Sequence, residues 1–396
     1  MSFQGKTVVL GITGGIAAYK MANVASALRK AGADVHVIMT KNATEFIPPL
    51  TFETLTNNRC ITDTFDRNFQ YDVAHVSLAK KAHAVLVAPA TANVMAKLAH
   101  GIADDMLTTT LLACRCPKLV APAMNTAMLE NPATQENMQT LTRYGYTVIP
   151  SDTGMLACKD IGSGKLPREE VLLGYLEKAL TNQHLAGLRV TVTAGATQEA
   201  LDPVRFLNNH SSGKMGYALA RSAAMRVAEV ELIHGKTALE SVQFVTHTPV
   251  TSAQDMCRAV QAAFPQTDVL IMAAAVADYR PASVAQQKMK KQEDELSVRL
   301  ERTTDILGSL KEQKKGQFVC GFSMETENLL ENSRKKLEKK GLDMVVANDL
   351  RTPGAGFGVD TNVVTLLTRD QTVALPQMSK TEVANAILDR ILELRK

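Results

Sequence analysis

Between Asp202 and Gly216 the chain reads Asp-Pro-Val-Arg-Phe-Leu-Asn-Asn-His-Ser-Ser-Gly-Lys-Met-Gly and runs into a helix pattern from Tyr217. A polar, basic loop at a helix start suits an anion, because unpaired helix N–H groups and the positive end of the dipole face it. Ser-Ser-Gly-Lys invites a P-loop reading. That motif needs glycine where Asn208 stands, and Met215 replaces the Ser or Thr that would hold magnesium. The loop is therefore an anion site of another kind. Arg205, Asn209 and Lys214 are donors grouped on it, as phosphate or carboxylate recognition requires. Further on, Ala273-Ala-Ala-Val-Ala-Asp-Tyr-Arg280 offers very small residues that let a ligand approach the backbone. Asp278 there reads a base, holds a cation or caps a helix. Lys288-Met-Lys-Lys291 adds charge in the manner of a triphosphate site, and the Lys-rich stretch 335–340 is either a solvated face or a phosphate contact.

The first half carries three more candidates. His75 stands alone in Tyr71-Asp-Val-Ala-His-Val-Ser-Leu78, where a surface role competes with catalysis. Asn125, in Pro122-Ala-Met-Asn-Thr-Ala-Met128, either caps a helix or binds a carboxylate through its amide. Cys158 sits beside Lys159 in a glycine-rich loop, where a thiol is exposed and its pKa lowered. Cys60, Cys114, Cys257 and Cys320 fall in apolar or helical patterns and read as inert buried thiols. No CxxC pair suggests zinc or a disulfide framework.

Elements must position these groups. A chain of 396 residues exceeds one core, so two domains are expected. A net charge of +4 without long runs of one sign argues against a nucleic-acid protein. No signal peptide or apolar span of ~18 residues appears, so a soluble cytoplasmic protein is expected, with no membrane partner. In the first half, short β runs at Thr7–Gly11, Asp34–Met39, Ala84–Ala88, Lys118–Ala121 and Tyr146–Ile149 alternate with helical runs. That pattern predicts an α/β, doubly wound parallel sheet with ligands at the carboxyl ends of its strands. Those ends read Thr13-Gly14-Gly15, Thr40, Pro89-Ala90-Thr91-Ala92-Asn93 and Pro122-Ala123-Met124-Asn125, and they should converge on one crevice. The first turn lacks GxGxxG, so NAD is not expected. A phosphate held by Thr13 and the N–H groups of Gly14 and Gly15, or merely a tight turn, fits it. Residues 151–167 read as a flap over a site, and 182–187 as a linker. The second half repeats the βαβ logic from strand 189–193 through Val230–Ile233, Val269–Met272, Phe318–Phe322, Met344–Ala347 and Asn362–Leu367, predicting a second parallel sheet.

Together these motifs resemble the bifunctional bacterial coenzyme A biosynthesis flavoproteins, which fuse phosphopantothenoylcysteine decarboxylase to phosphopantothenate–cysteine ligase. The resemblance spans essentially the whole chain. It rests on Gly14-Gly-Ile-Ala-Ala-Tyr-Lys20, Pro122–Asn125 with Met128, Gly154–Gly164 around Cys158, Asp202–Gly216, Ala274–Tyr279, Lys288–Lys291 and Ala347-Asn348-Asp349. It implies a flavodoxin-like, FMN-binding decarboxylase over 1–186 and a Rossmann-like, CTP-dependent ligase over 187–396. In the first, FMN oxidises the substrate thiol, the carboxylate is lost, and the enethiolate is reduced to phosphopantetheine. His75 would act at the flavin, Asn125 would bind the carboxylate and Cys158 would donate the final proton. The cofactor would lie against Thr13, Gly14, Gly15, Thr40, Pro89, Ala90, Thr91, Ala92, Asn93, Ala123 and Met124. Lys159 and Lys165 depart from the Gly and Arg usual in the flap.

In the second half, 4′-phosphopantothenate and CTP would form an acyl-cytidylate with magnesium, and cysteine would displace CMP. Asn209 would hold the acyl carbonyl, Arg205 would assist turnover and Lys288 would meet the triphosphate. Ala274, Ala275, Asp278, Thr304, Asp305, Ile306, Leu307, Phe322, Lys336 and Lys340 would bind CTP. Thr304 replaces the usual proline. Trimeric contacts of the first half and dimeric contacts of the second imply a homo-oligomer, up to a dodecamer. A peptide cysteine decarboxylase would not need the ligase half. A flavin-binding phosphatase regulator would not need Cys158 or Asn125.

Overall fold

Thr7–Ile12 is apolar at nearly every position and wholly buried, as a strand covered on both faces must be. In the computed structural model, which describes residues 3–65, 74–155, 160–290, 297–325, 327–349, 356 and 358–395, it forms β1. With β2 (Asp34–Met39), β3 (Ala84–Ala90), β4 (Lys118–Pro122) and β5 (Thr147–Val148) it makes a parallel sheet of order β2-β1-β3-β4-β5. This is the flavodoxin-like order, whose crevice opens where the winding reverses between β1 and β3. Val8, Leu10 and Ile12 pack on one face against Met21 and Leu28 of helix Met21–Lys30 and Leu176 of helix Glu169–Leu180. Val9, Val85 and Val87 face the other way, toward Met95, Leu107 and Leu141.

Two local features differ from the sequence expectation. The turn after β1 enters a short 3-10 stretch, Ile16–Lys20, before the α-helix begins. The glycine-rich flap is an antiparallel hairpin, Asp152–Met155 with Ile161–Lys165. Its alternating glycines hid the strand pattern. Residues 156–159, which include Cys158 and Lys159, lie outside the described residues.

The second unit builds six parallel strands in the spatial order Val245–Pro249, Glu229–His234, Arg189–Ala194, Val269–Met272, Phe318–Glu325, Met344–Asp349. In chain order that is 3-2-1-4-5-6, the Rossmann arrangement. Val364–Leu367 and Thr372–Ala374 extend the sheet antiparallel, which corrects the expectation of an all-parallel sheet. A parallel return needs a crossover of a dozen or more residues, usually helical, and the sequence offers no helical pattern between Asp349 and Thr361. The edge strand Val245–Pro249 carries polar residues and a proline, which an edge tolerates and which concealed it. Val190, Val192 and Ala194 pack under helices Lys214–Met225 and Lys380–Leu394, while Leu270 and Met272 pack under Ala253–Ala263 and Leu329–Lys340.

The chain divides into Met1–Thr181 and Asn182–Lys396, so the turn read as a linker belongs to the second unit. Among the described residues no helix is long and apolar enough to cross a membrane.

Candidate functional site

In the first unit, the Thr13 hydroxyl ties two strand ends together. It donates to the Pro89 carbonyl at 2.6 Å and accepts from Thr91 N at 3.1 Å. Thr13 is buried, so it braces the crevice rather than facing into it. The turn lies hard against the end of β2: a Cβ on Gly14 would stand 2.4 Å from Asn42 Cβ. Gly15 N–H is spent on Thr13 O at 2.9 Å, whereas Gly14 N–H takes no partner among the described residues. Thr40 N–H reaches back to Ile12 O, and Ala123 N–H reaches Ala90 O. Thr91 caps helix Ala92–Ala99 through Val94 N at 3.3 Å. The expected strand ends thus line one edge of the sheet.

Asn125 Oδ1 accepts the Ala127 N–H at 2.9 Å and caps helix Thr126–Glu130. The hairpin is seated on the same segment: Met124 N–H donates to Gly164 O at 3.0 Å and Thr126 Oγ1 to Ser163 O at 2.7 Å. Gly164 has φ +112°, and a Cβ there would meet Met124 O at 2.2 Å. His75 is half-buried in the first turn of helix Ala74–Lys81. That helix runs back toward the start of β3, so its first turn lies on the carboxyl side of the sheet.

In the second unit, a cavity of about 690 Å³ opens at the reversal between Arg189–Ala194 and Val269–Met272. Its walls are Ser211–Gly216, Met272–Tyr279, Arg302–Leu307 and Phe322–Met324, with Lys336, Lys339, Lys340, Asn348, Asn362 and Lys380. Helix Lys214–Met225 starts beside it because Gly213, at φ +80°, turns the chain. Gly216 then lets the helix touch the strand; a Cβ there would stand 2.5 Å from Ala194 Cβ.

Residues 2–181 match the family described as Flavoprotein, and residues 185–394 match the DNA/pantothenate metabolism flavoprotein C-terminal domain. The whole chain is similar to the coenzyme A biosynthesis bifunctional protein CoaBC of Bacillus subtilis (strain 168), 46% identical over 398 residues that cover 99% of this chain and 98% of the relative. The chain belongs to the bifunctional coenzyme A biosynthesis family. The CoaBC protein of Escherichia coli (strain K12) is 40% identical over 398 residues, with 99% and 98% of the two chains covered. A crystal structure of the C-terminal domain of a CoaBC protein is 43% identical and covers 54% of this chain and 98% of that one, with a TM-score of 0.47.

For this family member, the cavity gathers Ala274, Ala275, Asp278, Thr304, Asp305, Ile306, Leu307, Phe322, Lys336 and Lys340. Asn209 stands at its margin, with Nδ2 at 3.4 Å from Ala275 O and Oδ1 accepting from Ser211 N at 2.8 Å. Arg205 and Lys288 are not among its walls. Arg205 is committed elsewhere, with Nε and Nη2 on Asp202 Oδ2 at 2.9 and 2.7 Å and Nη2 also on Met289 O at 2.6 Å. Met289 N–H returns to Asp202 at 3.1 Å, so the 202–205 turn and the 288–290 segment are stitched together. Lys288 is exposed there, and Lys291 lies outside the described residues. Asp278 caps no helix; a strand, Tyr279–Pro281, follows it.

Five lysines, Lys214, Lys336, Lys339, Lys340 and Lys380, line the cavity. Lys340 pairs with Asp305, and Lys214 pairs with Asp360 at 2.8 Å. Lys336 is half-buried and donates to Phe322 O at 2.7 Å. Burial pulls its pKa down, and the charges of Glu325 and Asp278 only partly offset that. A partly desolvated cation gains from an anionic ligand. Asn348 and Lys380 were not picked out individually from the sequence. Asn348 is 5% exposed, and its Oδ1 has no hydrogen-bond partner among the described residues, so a ligand donor at this wall would satisfy it. Lys380 opens the C-terminal helix, where periodicity reads only as core. Its Nζ holds the carbonyls of Gly356, Val359 and Thr361.

Proposed function

We propose that the chain carries two consecutive steps of coenzyme A biosynthesis. The second unit ligates cysteine to 4′-phosphopantothenate at the expense of CTP. The first then decarboxylates 4′-phospho-N-pantothenoylcysteine with FMN, giving 4′-phosphopantetheine. The observation that carries the reading is the lysine-lined cavity at the strand reversal of a unit matched to the pantothenate family.

Ala274 and Ala275 let the nucleotide approach the backbone, and Asp278 with Thr304–Leu307 frames its base side. Lys336 and Lys340 neutralise the phosphates. Ser211–Lys214 meets a phosphate of nucleotide or substrate at the helix start. Among the described residues no three His, Cys, Asp or Glu side chains cluster as a metal cage. Magnesium would therefore be held largely by phosphate oxygens and water. The long Asn209–Ala275 contact yields readily, freeing Nδ2 for the acyl carbonyl. Arg205 acts through Asp202 as a positioning residue of this loop. Lys288 is assigned to the triphosphate by resemblance.

The β1/β3 crevice fits FMN: glycine is the only residue type the turn admits at position 14 against Asn42, and the Gly14 N–H, without a partner among the described residues, is open to an acceptor on the cofactor. Gly14, Gly15, Thr40, Thr91 and Asn93 would hold the cofactor, with Pro89, Ala90, Ala92, Ala123 and Met124 as apolar walls and Thr13 as brace. Bound FMN supplies a two-electron acceptor and donor. Asn125 Nδ2 orients the leaving carboxylate, His75 positions or accepts a proton at the thiol, and Cys158 Sγ gives the last proton. We also propose a cytoplasmic homo-oligomer.

The deciding assay incubates the protein with phosphopantothenate, cysteine, CTP and magnesium, and follows pyrophosphate, CMP and carbon dioxide. Release of all three is expected, and ATP in place of CTP tests base choice. Absence of pyrophosphate and CMP sinks the ligase reading. A protein that is colourless and takes up no FMN sinks the flavin reading. Asn209→Asp should accumulate acyl-cytidylate, and Cys158→Ser should stop after decarboxylation.

A further inference from the structure

Lys380 is the first residue of helix Lys380–Leu394, where the positive end of the helix dipole disfavours a cation. It is also buried, at 8% exposure. Burial lowers its pKa, the Lys214 charge adds to that, and Asp360 opposes it. Helix stability therefore does not account for a lysine here. Its surroundings do. An ammonium has three N–H donors, and three backbone carbonyls surround this one: Gly356 O and Thr361 O at 3.3 Å, and Val359 O. The Lys380 backbone N–H donates to Asp360 O at 2.9 Å. Lys214 opens the adjacent helix Lys214–Met225, and its Nζ takes Gly358 O and Asp360 Oδ1, both at 2.8 Å. The carbonyls of Gly356, Gly358, Val359, Asp360 and Thr361 are thus all drawn onto two lysines. Gly356 and Asn362, at the two ends of this turn, line the 690 Å³ cavity.

We propose that Lys380 is a positioning residue of this cavity: its ammonium stands in a carbonyl cage fit for a monovalent cation and so fixes Gly356 and Asn362 as cavity wall. Converging backbone carbonyls are what a potassium ion accepts in place of its water shell. The lysine head has the same charge and is tethered to the helix, so the wall is held without a free ion. The cage follows from the geometry alone; its kinetic consequence rests on the proposed ligase function. Shortening the side chain to alanine empties the cage and leaves its oxygens facing one another. A potassium ion fits that space, whereas tetramethylammonium is too large to enter and offers the carbonyls no N–H.

Full-length wild type, Lys380→Ala and Lys380→Met are compared in potassium chloride and in tetramethylammonium chloride of equal ionic strength. Two quantities are read, the unfolding midpoint of the second unit and the steady-state kinetics of ligation. Wild type should behave alike in both salts. In tetramethylammonium, Lys380→Ala should unfold earlier and lose about tenfold in kcat/KM for CTP, mostly through KM, because the residue shapes a wall and not the reacting atoms. Potassium should restore both quantities. Lys380→Met fills the cage without a charge and should stay impaired in both salts. A midpoint of Lys380→Ala that potassium does not raise overturns the proposal, and so does failure of that variant to fold in potassium. An equal potassium effect in wild type or Lys380→Met overturns it too, by showing a general salt effect. If wild type releases no pyrophosphate or CMP, the ligase function fails instead, and the midpoints still decide the cage.

Discussion

Asp202 shows how one buried carboxylate sets a loop. Its side chain is inaccessible. Burial alone would raise its pKa, but the N–H groups of Val204 and Arg205, the Arg205 guanidinium and Met289 N–H outweigh that and hold it well below the usual carboxylate range. The unfolded chain therefore takes up this proton first as pH falls. Stability from Asp202 is present above about pH 4–5 and is lost on further acidification. Asp202→Asn should lower the midpoint of the second unit's unfolding at pH 7, and the gap from wild type should close toward pH 3. Chemical unfolding at the two pH values checks this; a gap independent of pH would deny the linkage. For Lys336 it is the charged form that the fold disfavours. Its lowered pKa means the unfolded state binds more protons just below 10.5, so stability of the unliganded protein rises with pH there. Lys336→Met should preserve or raise that stability yet cost about 1.5–3 kcal/mol of CTP affinity, roughly ten- to a hundredfold in Kd. Calorimetric titration with CTP measures it, and unchanged affinity would remove Lys336 from the phosphate site.

The hairpin Asp152–Lys165 is an element whose seat depends on glycine. Its second strand crosses the Met124–Thr126 backbone so closely that Gly162 and Gly164 have no room for a side chain: added Cβ atoms would meet Thr126 Oγ1 at 2.3 Å and Met124 O at 2.2 Å. Gly164 also needs φ +112°, a conformation that costs other residues on the order of 1–3 kcal/mol. Gly164→Ala should lift the hairpin, slow decarboxylation at least tenfold and leave ligation untouched. Separate assays of the two half-reactions distinguish this from general unfolding, which would depress both.

At the level of the molecule, each unit owns its core. Met21, Leu86 and Leu176 belong to one, and Val192, Leu219 and Ile387 to the other. Fragments 1–181 and 182–396 should therefore fold separately, the first yellow and the second releasing pyrophosphate with CTP, phosphopantothenate and cysteine. Circular dichroism and flavin absorbance check the first fragment; failure of both fragments to fold would mean that the units depend on each other. Light scattering of the full chain should give a mass well above one protomer's 42.9 kDa.

Strand and helix order was legible in the residues because covered parallel strands are unbroken apolar runs, as in Thr7–Ile12 and Val269–Met272. The strand-end clusters were legible too, because small and polar residues mark where backbones leave a sheet. The reading of Asp202–Gly216 as an anion site rests on donor type and helix position. Which of those donors face the cavity was not legible. Arg205 and Lys336 are equally basic in sequence, yet a buried carboxylate three residues away claims Arg205, whereas Lys336 is carried by its helix into a desolvated wall. Asn348 and Lys380 as walls of the cavity were hidden for the same reason. The Phe322 carbonyl that holds Lys336, the Met289 carbonyl that holds Arg205 and the carbonyls that hold Lys380 lie far from these residues in sequence, and only packing brings them together.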